Sequence, residues 1–394
     1  MKILGLILEA NPFHNGHKYF IEQAIATDQY DLVIAITTTS FNMRGEISLI
    51  DKFTKTKLYL ENNIDLVLEL PNYLSINSSD KFCLFNINIL SSFHITDLCF
   101  GSEIGDINKL IEYSSLKDNP SFNMYLKNHL DNGLSYSTSI NKALLDLGVC
   151  KDDVNEYTKP NNTLAIGYIN AIKELNLNIN LHTIKRTQNN YYDTKITNDI
   201  DIASASQIRA LLNNKNDINK YIPSAQYEKI GSNLFINENI AKERMLEILK
   251  YNFLIHPIEY FNSIHLINEG IENRIQSFIN KATNYDELTK LVQTKRYNLN
   301  RINRIFVNIL LENKEQKEQD KEIFTYLRIL GMNEKGKKYL SKLDKDTKKM
   351  LISNISKLDN YPNILEYELK SSRLFDILTD KSTYELEFKT PIKY

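Results

Sequence analysis

The chain has 394 residues, enough for two ordinary cores, and its 42% hydrophobic and 25% charged content argues against a disordered polymer. A formal net charge of −1 excludes a globally basic nucleic-acid binder, so a nucleic-acid partner has to meet a local basic surface. No apolar run approaches the roughly 18 residues of a membrane span. Cys83, Cys99 and Cys150 form no CxxC pair, which predicts a reducing, cytoplasmic setting without disulfides or a zinc site.

The first half alternates between two patterns. Ile3 to Leu8 is a continuous apolar run, too short and too soon followed by Glu9 for a signal peptide, and it reads as a buried strand. A polar, glycine-containing loop follows, then helical spacing from Lys18 to Ala26. Asp31 to Ile36 is a second strand, Leu49 to Leu60 a helix, and Asp65 to Leu70 a third strand closed by Pro71. A helix is predicted from Asp80 to Leu90, a fourth strand from Asp97 to Gly101, and helical segments over 105–150. Asn162 to Glu174 is a helix and Asn178 to Arg186 a fifth strand. Short apolar runs separated by helices predict βαβ units, right-handed crossovers and an α/β fold: a Rossmann-like, doubly wound parallel sheet over residues 1–222. Such sheets bind ligands beyond the carboxyl ends of their strands.

From Pro223 the strand-like runs nearly vanish. Ile240 to Asn252, Ile264 to Ala282, Tyr285 to Thr294 and Asn300 to Leu311 carry apolar residues at three- and four-residue spacing, which predicts an all-helical domain over 223–394. Lysines gather near its end, from Lys335 to Lys349, interspersed with Asp344 and Asp346 as on a solvated face.

Asn11-Pro12-Phe13-His14-Asn15-Gly16-His17 lies between the first strand and the first helix. The glycine lets the backbone turn tightly and approach a ligand, and the helix start aims free N–H groups and the positive dipole end at the same place. Two histidines three residues apart at that entry can face one anion and donate hydrogen bonds to a phosphoryl oxygen as charge builds. No Gly-Lys-Ser/Thr follows, so the loop is not a Walker A sequence. A second constellation is Ile202-Ala203-Ser204-Ala205-Ser206-Gln207-Ile208-Arg209. The hydroxyls of Ser204 and Ser206 at a helix start can cap the helix or bind phosphate, and Arg209, one turn in, would hold the β- and γ-phosphates of a nucleotide.

An HxGH loop after the first strand with a Ser-x-Ser-x-x-Arg helix start resembles the nucleotidyltransferase superfamily. Longer strings narrow the resemblance. Arg44-Gly45-Glu46, Glu69-Leu70-Pro71, Phe100-Gly101-Ser102-Glu103, Pro160-Asn161-Asn162 and Ile184-Lys185-Arg186 follow one family in order. So do Glu269 to Ile275, Thr294-Lys295-Arg296-Tyr297, Arg301 to Arg304 and Tyr326 to Gly331. They are similar to the bacterial tRNA(Met) cytidine acetate ligase family over nearly the whole chain. Two segments depart from its pattern: Thr38 to Gly45, which lacks a glycine and a glutamine, and Tyr191-Tyr192-Asp193, with tyrosine where the family has histidine.

The resemblance implies a two-step reaction in which acetate and ATP give acetyl-adenylate and pyrophosphate. The acetyl group then passes to N4 of the wobble cytidine of elongator tRNA(Met). It also implies ATP binding by Ile7, Leu8, Glu9, Ala10, Asn11, Pro12, Phe13, His14, Asn15, Gly16, His17, Lys18, Tyr19 and Phe20, together with Gly101, Asn162 and Arg186. Acetate is already ionised at neutral pH and needs no general base, so the demand is electrostatic. His14 and His17 are the expected catalytic residues, and no carboxylate cluster predicts a protein-built metal cage, which fits Mg²⁺ held by the phosphates and water. Lys295, Arg296, Arg301 and Arg304 with Tyr297 form a basic cluster suited to tRNA phosphates and a stacked base, and Arg274 is a further candidate. Two other readings remain open: an adenylyltransferase acting on a small phosphorylated metabolite, and an RNA-binding protein with a vestigial nucleotide site.

Overall fold

The computed structural model describes residues 1–186, 202–315 and 326–394, so Tyr191-Tyr192-Asp193 lies outside the described residues. Strands β1 (Ile3–Leu8), β2 (Leu32–Thr38), β3 (Leu66–Leu70), β4 (Asp97–Ser102) and β5 (Asn180–Lys185) are parallel and stand in the order β5–β4–β1–β2–β3. Both neighbours of β1 run with it, and the chain reverses its direction of winding there. The crevice of a doubly wound sheet therefore opens between the ends of β1 and β4.

Period-two alternation explains why these runs are apolar throughout. Leu4, Leu6 and Leu8 pack with Val33, Ala35 and Val67 under Ile21, Ala24 and Leu58 of the helices Asn15–Ile25 and Lys52–Glu61. Ile3, Ile34, Ile36, Leu66 and Leu68 face the other way, toward Phe82, Leu90 and Ile169 of the helices Ser79–Ser91 and Pro160–Glu174. Gly5 has to be a glycine: a Cβ there would stand 2.8 Å from the Ile95 side chain.

The second half differs from the all-helical expectation. The strand β6 (Leu327–Met332) pairs antiparallel with β3, so the sheet continues past its parallel part, with β7 (Leu351–Ile352) and β8 (Ile392–Lys393) alongside β6. Arg328 hides this strand from a hydropathy reading, because it is a buried cation inside an apolar run, neutralised by Glu69 and Glu387. The helix Ser224–Ile230 also belongs to the sheet half, into whose core it sends Tyr227. The expected helix from Ile264 to Ala282 is only Ile271–Ile279, since Glu269 and Gly270 enter it with positive φ of 56° and 78°.

The helices Glu238–Ile255, Ile271–Ile279, Tyr285–Val292, Leu299–Leu311 and Asn363–Thr379 share one core. Phe41, Ile47 and Leu49 from the loop after β2 are buried in that same core. One loop of the sheet half is thus built into the helical half. No helix among the described residues is long and apolar enough to cross a membrane.

Candidate active site

The loop after β1 is fixed by its neighbours before any ligand arrives. Asn11 donates to the Ile47 carbonyl at 3.0 Å and accepts the Leu49 amide at 2.7 Å. The Phe13 carbonyl accepts the Tyr227 hydroxyl at 2.8 Å, and the Asn15 amide donates to the Tyr221 carbonyl at 2.9 Å. The Asn11–Pro12 peptide is cis.

His14 caps the helix Asn15–Ile25. Its Nδ1 accepts the Gly16 amide at 3.0 Å, and His17 Nδ1 in turn accepts the His14 amide at 3.3 Å. The ring centroids are 3.9 Å apart. Gly16 is required, because a Cβ would lie 2.8 Å from His14 Cε1. A ring nitrogen that accepts carries no proton, so each neutral imidazole holds its proton on Nε2 and offers it as a donor. Both rings stay neutral. Burial, then His17 and Arg186, hold His14 well below the usual imidazole range, and burial, Arg186 and Lys55 push His17 down to about 3.

The second constellation stands beside the first. A Cβ on Gly16 would be 3.3 Å from Ile202 Cγ2, which places the start of the helix Ala205–Asn213 against the HxGH turn. Ser204 is a cap, accepting the Gln207 amide at 3.2 Å while Gln207 Oε1 accepts the Ser204 amide at 2.8 Å. Ser206 is half-buried in the first turn. Arg209 is held by both guanidinium NH2 groups on the carboxylate of Glu46, one at 3.0 Å, and burial of that pair is outweighed by Arg209 in keeping Glu46 below the usual carboxylate range. The cation expected on the β- and γ-phosphates therefore carries a carboxylate in this structure.

At the end of β4, Gly101 leaves room beside Arg186: a Cβ there would meet Arg186 Cγ at 3.6 Å. The Arg186 guanidinium donates to Asn161 Oδ1 at 2.9 Å. Asn162, expected on ATP, is wholly buried and fully engaged: its Oδ1 accepts the Glu103 and Ile104 amides at 2.9 and 3.2 Å, and its Nδ2 donates to the Glu156 carbonyl at 2.8 Å. It supports the Gly101 turn from behind. Ile7, Leu8, Ala10 and Phe20 are packed in the cores on either side of β1, while Tyr19 is exposed and Lys18 pairs with Glu22 along its own helix at 4.0 Å.

Sequence reasoning missed Lys55. It is wholly buried and donates to the Thr38 carbonyl at 3.2 Å, and burial, only partly offset by Glu9 and Asp51, pushes it down to about 8. Glu9 accepts the Met43 amide at 2.7 Å, and burial holds its carboxyl above the usual range. The signal was there: Lys52 and Lys55 lie three apart on the stripe that carries Leu58 and Tyr59, where apolar residues belong. Among the described residues no three His, Cys, Asp or Glu side chains converge into a metal cage.

The predicted tRNA cluster divides. Lys295 is exposed, Arg296 is half-exposed and pairs with Glu269 at 3.0 Å, and Arg301 donates to Asn268 at 2.7 Å. Tyr297 is buried, and the Arg301 guanidinium covers its ring at 4.2 Å, so it offers no face to a base. Arg274 donates to the carbonyls of Leu291 and Val292, each at 2.7 Å, and caps the helix Tyr285–Val292. Arg304 turns inward to the Met43 carbonyl at 3.4 Å, and burial with Arg301 nearby pushes it down to about 10.

Comparison with known proteins identifies the family. Residues 1–389 match the family model described as HIGH Nucleotidyl Transferase. The tRNA(Met) cytidine acetate ligase of Staphylococcus haemolyticus is 33% identical over 394 residues, covering 100% of this chain and 98% of its own. That of Caldicellulosiruptor bescii is 34% identical over 95% of this chain and 93% of its own. The crystal structure of Thermotoga maritima TmcAL superposes with a TM-score of 0.89 at 26% identity, covering 100% of this chain and 99% of that one. A second form of it, bound with alpha-thio ATP, gives 0.85 at 25% identity with the same coverage. The chain belongs to the HIGH nucleotidyltransferase family and, within it, to the tRNA(Met) cytidine acetate ligases.

Proposed function

We propose that this protein joins acetate to ATP as acetyl-adenylate and then acetylates N4 of the wobble cytidine of elongator tRNA(Met). The observation that carries the first step is the pair of neutral imidazoles, His14 and His17, each locked at Nδ1 so that Nε2–H is a donor. A carboxylate oxygen of acetate attacks the α-phosphorus, the bond to the bridging oxygen breaks, and pyrophosphate leaves with the electron pair. Charge builds on the triphosphate oxygens, and preformed N–H donors stabilise it without reorganisation. Because both rings are neutral, they act as hydrogen-bond donors and not as acids. Arg186 supplies positive charge at one side of the crevice; at the other, beside Ser206, Arg209 exchanges its Glu46 carboxylate for phosphate oxygens when the nucleotide binds. In this reading Mg²⁺ arrives on the triphosphate and water.

In the second step the cytidine N4 attacks the acetyl carbonyl, the bond from that carbon to the phosphate oxygen breaks, AMP departs with the electron pair, and N4 gives up one proton to solvent. An activated acyl donor is needed because the N4 lone pair is delocalised into the ring. Lys295, Arg296 and Arg301 are the surface cations available to tRNA phosphates, with Arg304 turned from that surface toward Met43 in the loop after β2. A tRNA substrate places the work in the cytoplasm.

Exchange of labelled pyrophosphate into ATP tests the first step. Exchange that requires acetate is the expected result. Exchange that requires a phosphorylated metabolite instead would establish the adenylyltransferase reading. Nucleoside analysis of tRNA after incubation with ATP and acetate tests the second step, with N4-acetylcytidine expected.

A further inference from the structure

Asn72 gathers side chains from both halves of the molecule. It opens the short helix Asn72–Ser75 directly after β3 and is wholly buried. Its amide donates to Glu368 Oε2 at 2.7 Å. Its Nδ2 reaches the same oxygen at 3.1 Å, Ser371 Oγ at 2.6 Å and Thr39 Oγ1 at 2.6 Å. Its Oδ1 accepts the Phe41 amide at 3.0 Å. One side chain therefore ties the helix Asn363–Thr379 to the stretch Thr39–Phe41 that opens the loop after β2.

The helix side of this tie is fixed by charge. Lys52 Nζ lies 2.6 Å from Glu69, 2.9 Å from Glu368 and 2.8 Å from Glu387, while Arg328 lies 3.0 Å from Glu69 and 2.5 Å from Glu387. All five side chains are buried. Three carboxylates share two cations, and burial together with Glu69 and Glu387 pushes Glu368 up to about 7; its contacts to Lys52 and to the Asn72 amide hold it in place. Beyond it the same helix sends Leu374, Phe375 and Leu378 into the helical core.

The loop side ends at the ATP site. Met43 puts its amide on Glu9, Glu46 holds Arg209, and Gly45 lies so close to the helix Leu299–Leu311 that a Cβ would stand 2.6 Å from the Arg304 amide nitrogen. Between Ser40 and Ser48 the chain turns through a small hairpin, a bridge of Phe41 with Ile47 closed by the Asn42 amide on the Glu46 carbonyl at 3.0 Å and the Ser48 amide on the Ser40 carbonyl at 2.8 Å. The bonds at Thr39 and Phe41 attach the entry arm of that hairpin to Asn72, beside the bonds of Asn11 to its return arm.

We infer that Asn72 is a positioning residue for nucleotide binding: anchored by Glu368, it fixes Thr39 and Phe41 and so places Met43 and Glu46 against Glu9 and Arg209. The inference rests on the ATP site proposed above. The tie also makes the helical half and the nucleotide loop one mechanical unit.

Equilibrium binding of Mg-ATP to the full chain, without acetate or tRNA, tests it with Thr39→Val, Thr39→Ser and Asn72→Ala. Valine keeps the volume of threonine but cannot accept the Asn72 Nδ2 hydrogen. Serine keeps the hydroxyl and loses a methyl. Positioning predicts a Kd raised at least about fivefold in Thr39→Val and Asn72→Ala, and within about twofold of wild type in Thr39→Ser, although serine loses more packing. A purely structural role would make serine the worse substitution. A wild-type Kd in Thr39→Val, or equal Kd values in the two Thr39 variants, overturns the inference. Should Asn72→Ala fail to fold, the Thr39 pair decides alone. If the wild-type chain binds no ATP, the ATP-site reading fails on its own account. Deuterium uptake at the 43–46 amides without nucleotide then tests the positioning: faster uptake in Thr39→Val than in Thr39→Ser is expected, and equal uptake overturns it.

Discussion

The proposed nucleotide end of the sheet and the basic surface of the helical half differ in how far their polar groups are already committed. At the sheet end the polar groups are committed in advance: His14 and His17 are tied through Nδ1, Asn11 and Asn162 are engaged on both amide atoms, and Lys55 is buried on a carbonyl. On the helical surface Lys295 and Arg296 stand in water, and the Arg296–Glu269 pair is exposed on both sides. On the proposed function, the contrast teaches that chemistry is prepared by desolvated, oriented donors, whereas association with a polyanion is left to screened, mobile charge. Burial is what separates the two regions, more than the residue types in them.

Replacing the prepared donors should have the largest effect. His17→Ala or His14→Ala is expected to lower acetate-dependent pyrophosphate exchange by about 10²–10³-fold, the usual cost of one preorganised donor, while tRNA binding measured by filter retention is kept. Exchange at the wild-type rate would remove the imidazoles from the reaction. Arg209→Lys comes next. Lysine cannot reproduce a two-point grip, so KM for ATP should rise about tenfold with tRNA affinity unchanged.

Two arginines sharpen the contrast from the helical side. Arg274→Ala should destabilise the chain by about 1–2 kcal/mol in chemical denaturation, because two part-buried carbonyl bonds at a helix end are lost, and its tRNA salt dependence should stay as in wild type. Arg296→Ala should behave in reverse: unchanged stability, several-fold weaker tRNA binding, and a slope of log K against log salt reduced by about one. If both variants changed stability alone, the basic cluster would be a scaffold feature and the RNA surface would lie elsewhere.

The smallest expected effect is in pH. His14 and His17 are depressed in the folded chain and ordinary when unfolded, so the unfolded state binds more protons below the usual imidazole value of 6.5. Their contribution to stability is complete above about pH 6.5 and is lost as pH falls toward about 3. Denaturation midpoints between these limits should fall with pH in wild type and fall less in His17→Asn. Identical profiles would mean that the rings are not held neutral.

The sheet and the HxGH site were legible because both obey local rules: continuous apolar runs for doubly covered strands, and a glycine with two imidazoles at a helix entry. The cap at Ser204 was legible for the same reason, whereas Gly101 was named only through the family resemblance. What the chain order concealed is long-range pairing. Arg328 reads as a break in an apolar run until Glu69 and Glu387 neutralise it, and β6 was therefore taken into the helical half. Lys52 and Lys55 lie on the apolar stripe of their helix, and only the carboxylates and carbonyls brought to them by other elements make their burial tolerable. Tyr297 looked like a stacking platform because sequence does not show that Arg301 covers it. Arg209 was placed at the site, but not its grip on Glu46, 163 residues away in sequence.

The most direct test of the central claim is a crystal structure of this chain with a non-hydrolysable ATP analogue bound. The expected result is a triphosphate over the start of the helix Asn15–Ile25 with Nε2 of both His14 and His17 within hydrogen-bond distance of its oxygens. Imidazoles turned from the phosphates, with the nucleotide seated away from the β1–β4 crevice, would contradict it.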